Sequence, residues 1–385
     1  MTIPTTLYIH IPWCIRKCPY CDFNSHKIKD IIPETDYIKA LINDFKADLN
    51  YFPARRIDAI FIGGGTPNLL MAKSYELLLQ QLQQLVPFAK NLEITIEANP
   101  GAIENKHLTD YPKVGINRLS LGIQSFNSTH LKSLGRIHDD LSAHQAIEFA
   151  RQVGFANINL DLMYGLPGQS AAEGLDDLKK ALSFQVEHLS WYQLTIEPNT
   201  VFYKKPPVLP HDNEIGLLEE QGLAILAMNG YKRYEISAFC RDNKYAQHNL
   251  NYWLFGDYYG IGAGAHGKIT TAPKKVYRVI KFKHPKNYLN RDQTFLVKRT
   301  IVKEEDLLFE FMLNTTRLQQ RIPQKLFTER VGLPFARLRP KLLQAQQQGL
   351  LSINQEFWQI TALGRRFTND LQAMFLPGSD STHGL

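Results

Sequence analysis

Within residues 1–200, short apolar runs alternate with longer amphipathic ones, which limits the chain to a sheet of mostly parallel strands covered by helices. Strands are predicted at 7–13, 57–62, 92–97, 118–123, 157–163 and 189–196, and helices at about 34–50, 74–86, 143–153 and 172–184. Successive parallel strands joined by helices cross over right-handedly, so all their C-terminal ends open on one mouth. Beyond residue 198 the pattern changes. Residues 202–210 are rich in Lys and Pro and read as a loop, a helix is predicted at about 213–228, and 245–267 is aromatic and glycine-rich. Leu307, Leu308, Phe311 and Met312 stand at helical spacing, and residues 349–361 read as a small hairpin before a last helix. The expected architecture is α/β in three segments. Residues 1–200 form the strand–helix unit and 201–300 extend it. Residues 301–385 form a smaller, mainly helical, winged-helix-like domain.

The run His10-Ile11-Pro12-Trp13-Cys14-Ile15-Arg16-Lys17-Cys18-Pro19-Tyr20-Cys21-Asp22-Phe23 lies just past the first strand. Its cysteines have the spacing CxxxCxxC. Three thiolates can hold three corners of a cubane iron–sulfur cluster, which normally takes four, leaving one iron open. Disulfides do not fit, because the chain has 4 cysteines and the last, Cys240, is remote and reads as a buried core thiol. A zinc site wants a fourth ligand nearby, and neither His10 nor His26 has a usual zinc spacing.

Charged and polar residues recur at the ends of the predicted strands. Gly63-Gly64-Gly65-Thr66-Pro67 follows the second and exposes backbone N–H groups; GxxxxGK[ST] is absent, which argues against a nucleotide phosphate loop. Glu97 ends the third strand, where a carboxylate can hold an amine or a ribose hydroxyl. Gln124 follows the fourth, and Arg136 offers a fork for a carboxylate. Asp161 lies inside an apolar strand and needs a partner there.

These elements, in this order, resemble the radical S-adenosylmethionine (radical SAM) proteins, in the branch that contains oxygen-independent coproporphyrinogen III dehydrogenase. The resemblance spans nearly the whole chain. It implies a partial (β/α)6 barrel, a [4Fe-4S] cluster on Cys14, Cys18 and Cys21, and S-adenosylmethionine on the open iron. It also implies that Tyr8, Gly64, Gly65, Thr66, Glu97, Gln124, Arg136 and Asp161 line the S-adenosylmethionine sites, with Thr195 at the mouth. The dehydrogenase has a further cysteine two residues after the third; here that position is Phe23. The run His248-Asn249-Leu250-Asn251-Tyr252-Trp253, followed by Gly260-Ile261-Gly262-Ala263-Gly264-Ala265-His266-Gly267, resembles instead the HemW group of haem chaperones. That resemblance implies haem as cargo, acceptor haemoproteins that include membrane respiratory enzymes, and an electron donor. It makes His248, Tyr252 and Trp253 candidate haem contacts, with His10 and His266 as competing iron ligands. The alternative is the dehydrogenase itself, decarboxylating coproporphyrinogen III by a radical route.

The formal charge of +7 permits acidic partners. The densest basic stretch, 274–299, is expected to be a solvated face. A nucleic-acid partner is not expected, since the candidate recognition stretch 333–348 contains Pro340. With no secretory signal and no run of ~18 apolar residues, a cytoplasmic protein is expected, with peripheral membrane attachment through its basic surface.

Overall fold

The computed structural model describes residues 3–101, 107–272, 274–290 and 294–378. The predicted strands form β1 (Thr5–Ile11), β2 (Ile57–Gly64), β3 (Phe88–Ala98), β4 (Arg118–Gln124), β5 (Ile158–Tyr164) and β6 (His188–Gln193). Helices α1 (Glu34–Leu49), α2 (Ala72–Leu85), α3 (Asp140–Gln152) and α4 (Ala171–Ser183) lie between them. All six strands pair in parallel, in sequence order.

Each strand is apolar on the face that meets the helices. Leu7, Ile9 and Ile11 of β1 join one core with Tyr37, Ile38 and Leu41 of α1. The alternate residues point to the other, concave face. There the register aligns Tyr8 with Phe61, Thr95 with Arg118, Glu97 with Ser120, and Gly122 with Asp161 beside Ser190. This period of two places the polar residues of five strands on one inner wall.

The segment after α5 (Asp212–Met228) adds to the same sheet. Its elements are β7 (Lys232–Arg233), β8 (Ala238–Cys240), α6 (Gln247–Trp253), β9 (Asp257–Ile261), β10 (His266–Thr271), β11 (Lys275–Lys281) and β12 (Leu296–Ile301). Among the described residues, twelve strands form one open mixed sheet in the order β12-β11-β10-β9-β1-β2-β3-β4-β5-β6-β8-β7. The aromatic and glycine-rich stretch therefore hides a seventh parallel strand, β9, paired with β1. The sheet does not close. Cys240 is buried in β8, and burial pushes its thiol up to about 11.

The basic stretch is not wholly a solvated face. Lys275, Lys298 and Arg299 are exposed, but Lys281 is fully buried, its Nζ 2.5 Å from Asp44 and 2.6 Å from Asp48 of α1. Arg278 bonds Glu310 and Tyr258.

The C-terminal part has its own core around Phe311, Phe327, Leu342 and Trp358. It runs α7 (Glu304–Thr315), β13 (Ile322–Pro323), α8 (Gln324–Val331), α9 (Arg339–Gln347), β14 (Leu351–Ile353) and β15 (Phe357–Ile360). β15 pairs antiparallel with both β13 and β14, the order of a winged helix. Pro340 does not disrupt α9. It sits in the first turn, where its missing N–H has no helical partner to lose. No helix among the described residues is long and apolar enough to cross a membrane.

Candidate active site at the mouth of the sheet

The strand ends open on a cavity of about 390 Å³, a size suited to a small-molecule ligand. Cys14, Cys18, Cys21, Gly64, Gly65, Thr66, Glu97, Gln124, Arg136, Asp161 and Thr195 all line it. Tyr8 does not. It lies beneath the floor, its hydroxyl 2.9 Å from His10 Nδ1.

The cysteine loop is tied down at several points. Trp13–Cys14 pairs in parallel with His26–Lys27, and Lys17 Nζ donates to the Phe23 and Ser25 carbonyls. The glycine run grips the loop from below. Gly65 N–H donates to Ile11 O and Thr66 N–H to Trp13 O, both at 2.7 Å. A Cβ on Gly65 would lie 2.3 Å from the Trp13 carbonyl oxygen, so only glycine permits this approach. Gly64, at φ +117°, lies under the His10 ring and donates to Glu97 Oε2 at 3.0 Å. Substituting Gly65→Ala is expected to shift the loop, cost about 1–3 kcal/mol and sharply lower the iron bound on anaerobic reconstitution. Iron and sulfide assays beside a thermal melt would check both effects, and full iron content would refute the first.

Among the described residues, no three His, Cys, Asp or Glu side chains converge on one point closely enough to share a single metal ion. A cubane takes each thiolate on a different iron, so the set of thiols fits a cluster better than a zinc ion. Burial pushes the thiols of Cys14 and Cys21 up, while the nearby Ser25 pulls them down. Iron binding would therefore release protons.

The inner wall is acidic. Burial, with Asp161 nearby, pushes Glu97 up to about 8; the Gly64 N–H offsets part of this. Asp161 is also raised by burial, although it accepts from Asn159 at 2.8 Å and from Ser120 Oγ at 3.0 Å. A cation entering here would meet two carboxyls ready to ionise. Arg136 supplies the opposite charge. Its Nη2 donates to Asn99 Oδ1 and to Gly122 O at 2.7 Å, and its Nη1 stands 3.9 Å from Cys18 Sγ. Burial works against its charge, but Tyr20 and Cys18 more than offset that and hold its pKa above the ordinary range. Its Nε is buried without a hydrogen-bond partner, a donor left for a ligand. Gln124 adopts a left-handed φ of 68°, and its Oε1 accepts from Tyr192 at 2.9 Å. Thr195, exposed just past β6, donates to Glu197, which also lines the cavity, at 2.8 Å.

Asn99, Ser120, Ser190 and Tyr192 also line the cavity, and the sequence reading missed them. Their signal was the period of two. Asn99 stands two residues past Glu97, and Ser120 four before Gln124.

The candidate haem residues lie elsewhere. His248 is buried on the inner face of the sheet, its ring 6.1 Å from Tyr8 and 5.4 Å from Phe61. Burial lowers it to about 3, and its Nδ1 has no hydrogen-bond partner. Tyr252 shares a neighbour with it, Tyr258, while Trp253 lies under the Arg317 guanidinium at 4.2 Å. Of the competing histidines, His10 is buried, bonding Asn24 O, and His266 is exposed.

Residues 8–181 match the family model of the Radical SAM superfamily, and 302–367 that of the HemN C-terminal domain. The chain is 46% identical over 373 residues to the heme chaperone HemW of Escherichia coli, covering 97% of this chain and 98% of that protein. It is 33% identical to the heme chaperone HemW of Bacillus subtilis, over 96% and 98% of the two chains. The solved structure of coproporphyrinogen III oxidase (HemN) from Escherichia coli, 24% identical, superposes with a TM-score of 0.81 over 97% of this chain and 90% of that one. That likeness establishes the fold, while full-length identity at this level establishes kinship: the chain belongs to the heme chaperone HemW family of the radical SAM superfamily.

Proposed function

We propose that this protein binds haem and hands it to acceptor haemoproteins, carrying a [4Fe-4S] cluster on Cys14, Cys18 and Cys21 with S-adenosylmethionine beside it. The observation that carries the reading is the end-to-end likeness to proteins named heme chaperones. Phe23 supports it against the dehydrogenase. Its side chain is 55% exposed and lines the mouth at the position of that enzyme's extra cysteine, where it offers no thiol.

When bound, the cluster and S-adenosylmethionine supply one-electron chemistry; the chain's own residues position and shield them. Glu97 and Asp161 attract the cationic end of S-adenosylmethionine, and Arg136 its carboxylate. Gly64 and Gly65 line the cavity with backbone alone and would lie beside the methionyl group. Gln124 and Thr195 offer hydrogen bonds to ribose hydroxyls. Acceptors include respiratory enzymes at a membrane, approached through the exposed Lys275, Lys298 and Arg299.

The test is anaerobic reconstitution followed by haemin titration, transfer to an apo-haemoprotein, and a coproporphyrinogen III turnover assay. Haem binding and transfer without turnover is the expected result. Turnover with negligible haem binding would make the protein a biosynthetic enzyme and overturn the proposal.

A further inference from the structure

A second cavity, of about 690 Å³, lies against the other side of the cysteine loop. Lys17 and Ser25 line both cavities, so the loop is their common wall. Its apolar surface comes from Trp13, Ile28, Ile31, Pro33, Pro285 and Leu289. Ile31 is 96% exposed, an apolar side chain with nothing covering it. Around this surface stand four ammonium groups, Lys17, Lys27, Lys29 and Lys286, against one carboxylate, Asp30. Apolar walls rimmed by cations match a flat hydrophobic molecule that carries carboxylates.

Two imidazoles complete the lining, and they differ. His26 belongs to the strand paired with Trp13–Cys14, which fixes its backbone, and its ring lies beside the Lys283 backbone. Its Nε2 is buried with no hydrogen-bond partner. An imidazole on a fixed backbone, with a ring nitrogen left without a protein partner, is available as a metal ligand. His284 is exposed, and its Nδ1 accepts from Lys286 N–H at 3.2 Å, which puts the proton of the neutral ring on Nε2. It leans edge-on against His26, with ring centroids 5.2 Å apart. His284, exposed and with its Nδ1 lone pair taken by the Lys286 N–H, is a neighbour of the site and not its ligand.

We propose that haem occupies this second cavity, with His26 Nε2 on its iron, the lysine rim on its propionates and His284 as the ring that swings aside to admit it. This rests on the haem-cargo reading and names the site. It places the cargo one loop away from the cysteines, with its iron ligand opposite Trp13 in the strand pair that also holds Cys14. His248, packed between Tyr8 and Phe61 inside the sheet, then has a structural role.

The test is titration of the reconstituted full chain with haemin and with iron-free protoporphyrin IX. His26→Ala is expected to lower haemin affinity by roughly tenfold or more and shift the Soret band, with iron–sulfur content unchanged and added imidazole restoring the band. His284→Ala is expected to keep both affinity and band. Protoporphyrin, which has the propionates but no iron, is expected to bind wild type and His26→Ala alike, and to weaken in Lys27→Glu/Lys29→Glu. An unchanged band in His26→Ala, or loss confined to His248→Ala, would overturn the site and leave the haem-cargo reading standing. Failure of imidazole to restore the band would also overturn His26 as the ligand. Wild type that binds no haemin would sink both.

Discussion

Cys18→Ser is expected to abolish the cluster, with iron falling from about four per chain to near zero after anaerobic reconstitution. The effect is large because the site has no spare ligand. Three thiolates already leave one iron open, and two would leave half the cluster unheld. Cys240 cannot substitute, since it is buried in β8 and does not line the cavity that the other three share. Arg136 adds a second consequence. Its Nη1 faces Cys18 Sγ at 3.9 Å, and with the thiolate gone its charge loses one of the groups that offset burial. S-adenosylmethionine binding is expected to fall with the cluster. Iron and sulfide analysis with electron paramagnetic resonance of the reduced protein would check this; a retained cluster signal would move the metal site elsewhere.

Removing Lys281 is expected to destabilise the fold more than any surface change. Asp44 and Asp48 on α1 share its one ammonium, with Tyr288 donating to Asp44 Oδ2 at 2.7 Å, and all of these groups are buried. Lys281→Ala leaves two carboxyls without a counter-charge, which costs about 3–5 kcal/mol. The cost depends on pH. Burial pushes both carboxyls up, Asp48 to about 6, above its ordinary 3.8. The folded state therefore holds protons that the unfolded chain releases. The stability these groups contribute is complete below about pH 4 and is lost as pH rises through about 6. Without the ammonium both pKa values climb further. The variant's deficit is then largest above pH 6 and shrinks near pH 4–5, where the acids are neutral. Denaturation midpoints of both proteins across this range would show it, and a deficit independent of pH would mean lost packing alone.

The chain's local patterns determined a good deal. Alternation of apolar residues marked β1 to β6, because a strand with one face on helices must repeat every two residues. The cysteine spacing and the glycine run marked the mouth, because a loop of that length can present its thiols only at the strand end it follows. Pro340 misled, because its effect depends on its place in a helix and not on its identity. Other features waited for the tertiary structure. β9 reads as an aromatic, glycine-rich stretch, and its pairing with β1 joins residues some 250 positions apart. Nothing local distinguishes Lys281 from its solvated neighbours until α1 brings Asp44 and Asp48 against it. The second cavity likewise exists only because residues 26–33 and 284–289 fold together. Periodicity records which face of an element is buried. It does not record which distant element covers that face, and that choice fixed the seventh parallel strand, the buried lysine and the pair His26 and His284.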